Sequence, residues 1–588
     1  MTTFALSFDV VIAGGGFAGV ACAQQLAKEF GTEGPKRVAL ISDQNFMVFQ
    51  PMLAEVVGSS ISPRHIVNPI RRLARVTVLR GNITDADLGT RQLTLEAGDF
   101  AGTVSVSFQH LVLTLGGVVD LSRVPGMPEH AFLMKNVGDA LKLRATIIDR
   151  FEEANLESDP AERRRLLTFV IVGGGYSGVE TAGQINDLGE EILSFYPRLA
   201  RDEFRVVLIH SQAHLLPEIS EALGRYCEDH LLSRSVELML NTRVTAMTAG
   251  RVLLGDGREI ESHTVVSTVG NAPHPLLSRL CKAGAFDCAK GRIICDQTLR
   301  VVGQQHLWAA GDCAAVPMPA PTTNSPTDPH TFCPPTAQFA TRQGKLLGEN
   351  IARTLDHARE PKPFTFTGLG ELASIGHRAA VADIMGVRFS GFLAWFVWRT
   401  IYLSKLPGVE RKLRVMIDWT LDLFFPRDIT LFQSKPTQLL QEIHLEKGDV
   451  VVRSGERAFS LYLVKSGRVE LLDAAGAVER SVTTAQHFGT RTLREDRHWR
   501  FDAVAAEPTT LVAVSARVFE TLEGSGLLEG QSDSATAALT PVTATAPTAP
   551  VAALASESAA ATSSSETILV NLPPRRRPAP SAPGASPS

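Results

Sequence analysis

No stretch of this 588-residue chain reaches the roughly 20 consecutive apolar residues that a membrane-spanning helix requires. Cysteine is scarce: there are seven, with no Cys-x-x-Cys pair and none between Cys22 and Cys227. That distribution argues against a disulfide framework and suits a reducing compartment. Cys281, Cys288 and Cys295 recur every seven residues, which is not a metal-ligand spacing, and ordinary small core or surface residues are expected there. No metal site is expected. Neither sign of charge dominates. Lys and Arg number 58 against 62 Asp and Glu, for a net charge of −4, so nothing marks the chain for nucleic acid. The N-terminus has no basic segment ahead of an apolar run, as an export signal would, so the expected compartment is the cytoplasm.

What is present is ordinary globular composition, 44% hydrophobic and 20% charged, over a length that supports several sizeable cores. Residues 1 to 430 alternate apolar runs, glycine turns and helical patterns, which predicts an α/β fold. Residues 432–523 change character. Short runs such as Val450-Val451-Val452 and Leu461-Tyr462-Leu463-Val464 are separated by glycine turns, which predicts a small β-roll. Residues 530–588 are Ala, Ser, Thr and Pro with few large apolar side chains, too little to offset ordering entropy, so disorder is expected. Arg575, Arg576 and Arg577 lie in that tail and read as a solvated charge cluster.

Two glycine loops carry the chemistry. Asp9-Val10-Val11-Ile12 leads into Gly14-Gly15-Gly16-Phe17-Ala18-Gly19 and then a helical run. Thr168-Phe169-Val170-Ile171-Val172 leads into Gly173-Gly174-Gly175-Tyr176-Ser177-Gly178 and another. In each, the first glycine makes a tight turn, the second lets backbone approach a pyrophosphate, and the third lets helix pack on strand. The helix N-terminus then faces the phosphates. A later strand, Leu307-Trp308-Ala309-Ala310, ends in Gly311-Asp312, where the carboxylate is placed to accept from a hydroxyl chain.

Together with Leu111-Val112-Leu113-Thr114-Leu115-Gly116, these segments resemble the two-dinucleotide flavoprotein superfamily. The resemblance implies two Rossmann-like domains, one for FAD (residues 1–165 and 275–380) and one for NAD(P)H (166–274). It places Gly14, Gly16, Phe17, Ala18, Gly19, Ser42, Asp43, Gln50, Thr114, Gly116, Gly311, Asp312 and Ala337 at the FAD. It places Gly173, Gly175, Tyr176, Ser177, Gly178, His210 and Gly270 at the nicotinamide nucleotide. Ser42 stands at the usual acidic position of the first domain, with Asp43 one residue late. In the second, His210 replaces the acid that favours NAD, and no arginine cluster follows for a 2′-phosphate, so these residues leave NADH and NADPH both open. Glu180, in the first turn of the second helix, would lie between nicotinamide and flavin.

The electron acceptor is approached by elimination and by a further resemblance. The helix after Gly19 has only Cys22 and lacks the cysteine pair of a disulfide reductase. Ala337-Gln338-Phe339-Ala340-Thr341-Arg342-Gln343 is similar to the AQxxxxQ segment of type II NADH:quinone oxidoreductases, as is Phe49-Gln50-Pro51-Met52-Leu53. Arg342 stands where the commonest pattern has a further glutamine. That family resemblance implies NADH as donor, a membrane quinone as acceptor, no proton pumping, and Gln338 and Gln343 at the quinone pocket. Residues 381–430 supply a segment to reach a bilayer. Gly391-Phe392-Leu393-Ala394-Trp395-Phe396-Val397-Trp398 is apolar, and Leu413, Met416, Ile417, Leu421 and Phe424 share one helical face opposite Arg414, Asp418 and Asp422. The expectation is peripheral attachment to the cytoplasmic face of the inner or plasma membrane, or a homodimer contact.

Residues 443–515 resemble the cyclic-nucleotide-binding roll through Gly448-Asp449, Gly455-Glu456, Tyr462 and Gly467. Phe488-Gly489-Thr490 stands where that family has Phe-Gly-Glu, and Arg500 stands where it has its phosphate arginine. The missing glutamate implies a module for packing, oligomerisation or another ligand, with cyclic-nucleotide control as the alternative. A competing reading of the whole chain is a redox sensor, or a reductase of a soluble acceptor, modulated through this module.

Overall fold

The computed structural model describes residues 5–98, 101–319, 332–356, 359–431, 440–495, 497–516 and 518–519. The tail 530–588, with the expected disorder and its three arginines, lies outside the described residues.

β1 (Ala5–Ala13) runs directly into the first glycine turn, and α1 (Phe17–Phe30) leaves it. β2 (Val38–Ser42), the short α2 (Leu53–Val57), β3 (Thr77–Arg80) and the long β4 (Thr103–Leu113) follow. The sheet runs β3-β2-β1-β4 with these strands parallel. Val10 to Ala13 and all of β2 are buried, which is why both read as unbroken apolar runs. The first part of β4 pairs antiparallel with Gln92–Glu96, and its last three residues pair parallel with Leu307–Ala309. The chain thus returns to the first sheet after building the second.

That second sheet repeats the plan. β5 (Thr168–Val172), α3 (Tyr176–Leu193), β6 (Arg205–Ile209) and β7 (Thr264–Ser267) give five parallel strands in the order Ala131–Leu133, β7, β5, β6, Val236–Met239. The returning strand β8 (Leu307–Ala309) then leads towards α4 (Ala337–Leu355), which lies against α1. The approach is close enough to need glycine. A Cβ at Gly344 would stand 2.1 Å from the Ala18 carbonyl oxygen, and one at Gly348 2.8 Å from that of Cys22.

β9 (Gly370–Ser374) opens a three-stranded antiparallel sheet with Ala380–Ile384 and Val387–Ser390. α5 (Gly391–Lys405) and α6 (Val409–Leu421) follow. Trp398, Val415 and Trp419 are buried, whereas Phe392, Leu393, Phe396, Leu413, Met416, Ile417, Leu421 and Phe424 are exposed. The polar face of α6 turns inward: Asp418 accepts from Ser62 N at 3.1 Å and pairs with His65, and Asp422 faces Arg399 and Arg427. This helix is therefore amphipathic with its apolar side outward. No helix among the described residues is long and apolar enough to cross a membrane.

The C-terminal region forms two four-stranded antiparallel sheets, the expected β-roll. It packs on the second parallel-sheet unit. Glu456 is buried and accepts from Thr248 Oγ1 at 2.5 Å, Arg457 pairs with Glu157 at 2.5 Å, and Phe459 meets the His263 ring edge-on.

One cysteine expectation is corrected. Cys281 and Cys288 are joined by a disulfide, because the helix Pro275–Lys282 turns into the strand Cys288–Ala289 and brings their Cα atoms to 6.3 Å. Cys295, by contrast, is buried and free.

Candidate functional site

The two glycine turns share one geometry. Gly14 and Gly173 have φ of +113° and +116°, a region that only glycine enters freely. Their amides donate to the ends of the neighbouring strands, Ile41 and Ile209, at 2.9 and 2.8 Å. Gly19 and Gly178 close the turns: a Cβ there would lie 1.9 and 1.7 Å from the carbonyl oxygens of Gly14 and Gly173. Beside Gly16 and Gly175, a Cβ would meet nothing within 4 Å. Neither α1 nor α3 has a side-chain N-cap, so the first amides of both helices are left to face that space. Open backbone, unfilled donors and a positive helix end together fit a pyrophosphate twice over.

Thr114 and Thr268 anchor the two turns from the adjacent strand. Thr114 Oγ1 lies 3.0 Å from the carbonyl oxygens of both Ala13 and Gly14, and Thr268 Oγ1 lies 3.0 and 3.2 Å from those of Val172 and Gly173. Thr268 was missed by the sequence reading. The signal was available, because Thr268-Val269-Gly270 repeats Thr114-Leu115-Gly116 after equivalent strands. Gly116 and Gly270 both take positive φ.

Ser42 and His210 are likewise equivalent, each packed against the middle glycine of its turn. His210 Nδ1 accepts from Gly174 N at 3.1 Å, and burial holds the imidazole below its ordinary pKa. The neutral ring then carries its proton on Nε2, which is buried and without a hydrogen-bond partner. A buried orphan donor beside the turn suits a ribose hydroxyl. Asp43 is exposed and accepts from Gln44 N at 2.9 Å. Gln50 is exposed, with Nε2 donating to the Lys135 carbonyl at 3.2 Å. Phe17 stands edge-on to Phe49, while Ser177 and Asp312 face solvent.

β9 draws the remaining candidates together. Gln338, beside Ala337 in the first turn of α4, donates to the Gly370 carbonyl and accepts from Leu369 N, both at 3.2 Å. Tyr176, the first residue of α3, bonds Glu371. Glu180 accepts from Ser374 N at 3.3 Å. Glu180 is half-buried, and desolvation by the surrounding protein pushes its carboxyl up to about 8. One strand thus fixes the starts of both α3 and α4.

Gln343 requires a correction. It is not beside Gln338 in a pocket. Five residues along a helix rotate a side chain by roughly 140°, and Gln343 is buried with Oε1 accepting from Gly311 N at 2.9 Å. Its place is behind the Gly311-Asp312 turn, which it holds in position. No cluster of side chains suited to a metal occurs among the described residues.

Two strand–glycine turn–helix units, a Gly-Asp turn and a half-buried carboxyl at Glu180 fit an oxidoreductase with two dinucleotide sites. Residues 8–344 match the pyridine nucleotide-disulphide oxidoreductase family, residues 369–428 the NDH2 C-terminal domain and residues 442–523 the cyclic nucleotide-binding domain. A type II NADH:quinone oxidoreductase of Mycobacterium tuberculosis is 30% identical over 430 residues, covering 71% of this chain and 88% of its own. A probable mitochondrial NADH-ubiquinone oxidoreductase of Schizosaccharomyces pombe is 29% identical, with 67% and 79% covered. The solved structure of NDH2 from Plasmodium falciparum in complex with NADH shares the fold with a TM-score of 0.65 at 18% identity, covering 72% of this chain and 99% of its own. The chain belongs to the pyridine nucleotide-disulphide oxidoreductase family and, within it, to the type II NADH:quinone oxidoreductases.

Proposed function

We propose that this enzyme transfers hydride from NADH to FAD and passes the electrons to a quinone dissolved in a membrane, without pumping protons. The observation that carries the reading is the pair of matched turns, one on each parallel sheet, with α3 and α4 tied through β9. The turn at Gly14, Gly16 and Gly19, with Thr114 and the Gly311-Asp312 segment, would hold FAD, which supplies the two-electron chemistry. The turn at Gly173, Gly175 and Gly178 would hold NADH, with His210 Nε2 offered to its ribose. Gln338 fixes the Leu369–Gly370 backbone at the quinone side, and Glu180, half-buried in the first turn of α3, would hold a proton between the two nucleotides.

The exposed apolar side chains of α5 and α6 support the membrane. With Lys405, Arg411, Lys412 and Arg414 beside them, they fit a surface that enters lipid on its apolar side and meets headgroups at its rim. We place that attachment on the cytoplasmic face, in keeping with the compartment expected from the sequence. The test is multiple-turnover oxidation of NADH with a short-chain quinone by purified FAD-loaded enzyme. Turnover dependent on quinone is the expected result. One-time bleaching of the flavin with no further NADH loss would sink it.

A further inference from the structure

The charged groups buried between α2, α5 and α6 take no part in either glycine turn. Glu55 on α2 is 4% exposed. Its Oε1 accepts from Trp419 Nε1 at 3.1 Å, and its buried Oε2 has no hydrogen-bond partner. Arg399 on α5 approaches Glu55 only to 3.9 Å, and its Nε is also buried and unsatisfied. The same Nη2 of Arg399 lies 3.7 Å from Asp422, whose side chain is partly open to solvent. The Trp398 indole N–H faces Glu180 and Tyr402 and lowers the pKa of both. Two buried polar atoms of this cluster, Glu55 Oε2 and Arg399 Nε, therefore lie unsatisfied, and α2, which carries Glu55, packs directly on α3, which carries Glu180. Buried polar groups nearly always have partners, and a polar gap of this kind is where proteins hold water.

Quinone reduction makes a demand that this gap can meet. The net reaction, NADH + H⁺ + quinone giving NAD⁺ + quinol, adds two electrons and two protons to the quinone. One hydrogen comes from NADH and the other proton from water. We propose that Glu55 is a proton-relay residue, carrying the solvent proton from the Asp422 side across the gap to Glu180. The proposal rests on the quinone-reducing function above. At each hop one O–H bond breaks at the donor carboxyl and one forms at the acceptor, so each group returns to its starting state once per turnover.

The surroundings place both carboxyls in the range needed. Burial pushes Glu55 up to about 7, against the attraction of Arg399, with Asp422 adding to the rise and Trp419 and Arg427 opposing it. Burial also pushes Glu180 up to about 8, and the negative charge of Glu55 contributes. Two groups that gain and lose protons near neutral pH, coupled to each other, can exchange a proton at little cost.

The experiment uses full-length, FAD-loaded enzyme with NADH and a short-chain quinone in H₂O and D₂O, from mildly acidic to alkaline pH. In Glu55→Gln, quinone reduction falls by on the order of 10²-fold and its solvent isotope effect grows, while bleaching of the flavin by NADH keeps its rate. In Trp419→Phe, loss of the indole donor moves the alkaline limb of the quinone-reduction profile to higher pH. Infrared titration of the resting enzyme reads the carboxyl directly: wild type loses a protonated-carboxyl signal near neutral pH that Glu55→Gln lacks. An unchanged pH limb and isotope effect in Trp419→Phe, or an infrared titration of Glu55→Gln identical to wild type, overturns the relay. A wild-type enzyme that bleaches with NADH yet never turns over quinone overturns the function instead.

Discussion

Thr114 and Thr268 occupy the same place in two separate turns, each hydroxyl within 3.2 Å of the last strand carbonyl and of the first glycine carbonyl. Each draws a glycine turn onto its sheet from the neighbouring strand. The two therefore offer a matched pair of substitutions that separates the nucleotides. Thr114→Val removes the anchor of the first turn and is expected to weaken FAD retention. Thr268→Val removes that of the second and is expected to raise the KM for NADH. Loss of a hydrogen bond of this kind costs about 1 kcal/mol, so a several-fold change in each constant is expected. FAD content after gel filtration and the NADH KM are the readouts, and a crossed pattern would reverse the assignment of the two turns.

The two turns were legible because their cause is local. Strand, glycines and helix are consecutive in sequence, and the first and last glycine of each turn answer a backbone requirement that no other residue meets. Asn- or Asp-free strand ends such as Ile209-His210 were legible only in part: the residue was found, but not that Gly174 N would fix its tautomer. Glu55 was invisible, since its partner Trp419 lies 364 residues away. Gln343 shows the opposite difficulty. A motif grouped it with Gln338, and helical rotation sent it to Gly311. In α6 the apolar stripe was clear in sequence, but not that Asp418 and Asp422 would find His65 and Arg399 inside the protein.

The outward apolar side of α5 and α6 gives a second prediction. Ile417→Glu and Phe424→Glu each place a charge on a side chain that is already exposed, so folding loses little. Membrane association loses much, because a carboxylate must then be dehydrated at the apolar surface. Co-sedimentation with vesicles is expected to fall in both variants while the melting temperature stays within a few degrees of wild type. If vesicle binding persists with the melting temperature unchanged, the patch has another role, and sedimentation velocity would then show whether it joins two copies of the chain.

The roll is expected to be insensitive to cyclic AMP. Thr490 replaces the glutamate that would hold a ribose hydroxyl, and Arg500 lies 3.1 Å from Glu495. Trp499 crowds the cassette turn: a Cβ at Gly489 would stand 2.7 Å from its ring. Calorimetric titration of full-length enzyme with cyclic AMP is expected to show no heat and no shift in melting temperature. Saturable heat would mean that the substituted cassette still binds.

What the roll does hold is the second parallel-sheet unit, on which it packs. Glu157 receives backbone hydrogen bonds from Asp159 and Ser158 and faces Arg457, which together hold its carboxyl down to about 2. A depressed carboxylate contributes above its unfolded value and is lost as pH falls through the folded one. Docking is thus expected to persist through neutral and mildly acidic pH and to weaken towards about pH 2. Arg457→Ala removes the partner across the contact, and an early, separate thermal transition for the roll is the expected result at neutral pH.

Glu55 makes the opposite contribution, and this separates it from ordinary surface carboxylates. Its folded pKa of about 7 stands above the unfolded value of 4.5, so between those values the folded chain holds a proton that the unfolded chain releases. The stabilisation is complete below the unfolded value and is lost as pH rises through about 7. A rise from 4.5 to about 7 corresponds to on the order of 3 kcal/mol. Glu55→Gln, neutral throughout and still able to accept from Trp419 Nε1, does not suffer that loss. Its melting temperature relative to wild type is therefore expected to rise between about pH 5 and about pH 8, although it is the variant with the weaker quinone reduction. A difference that stays flat across that interval would mean that Glu55 is already ionised in the folded enzyme, with Arg399 compensating for its burial.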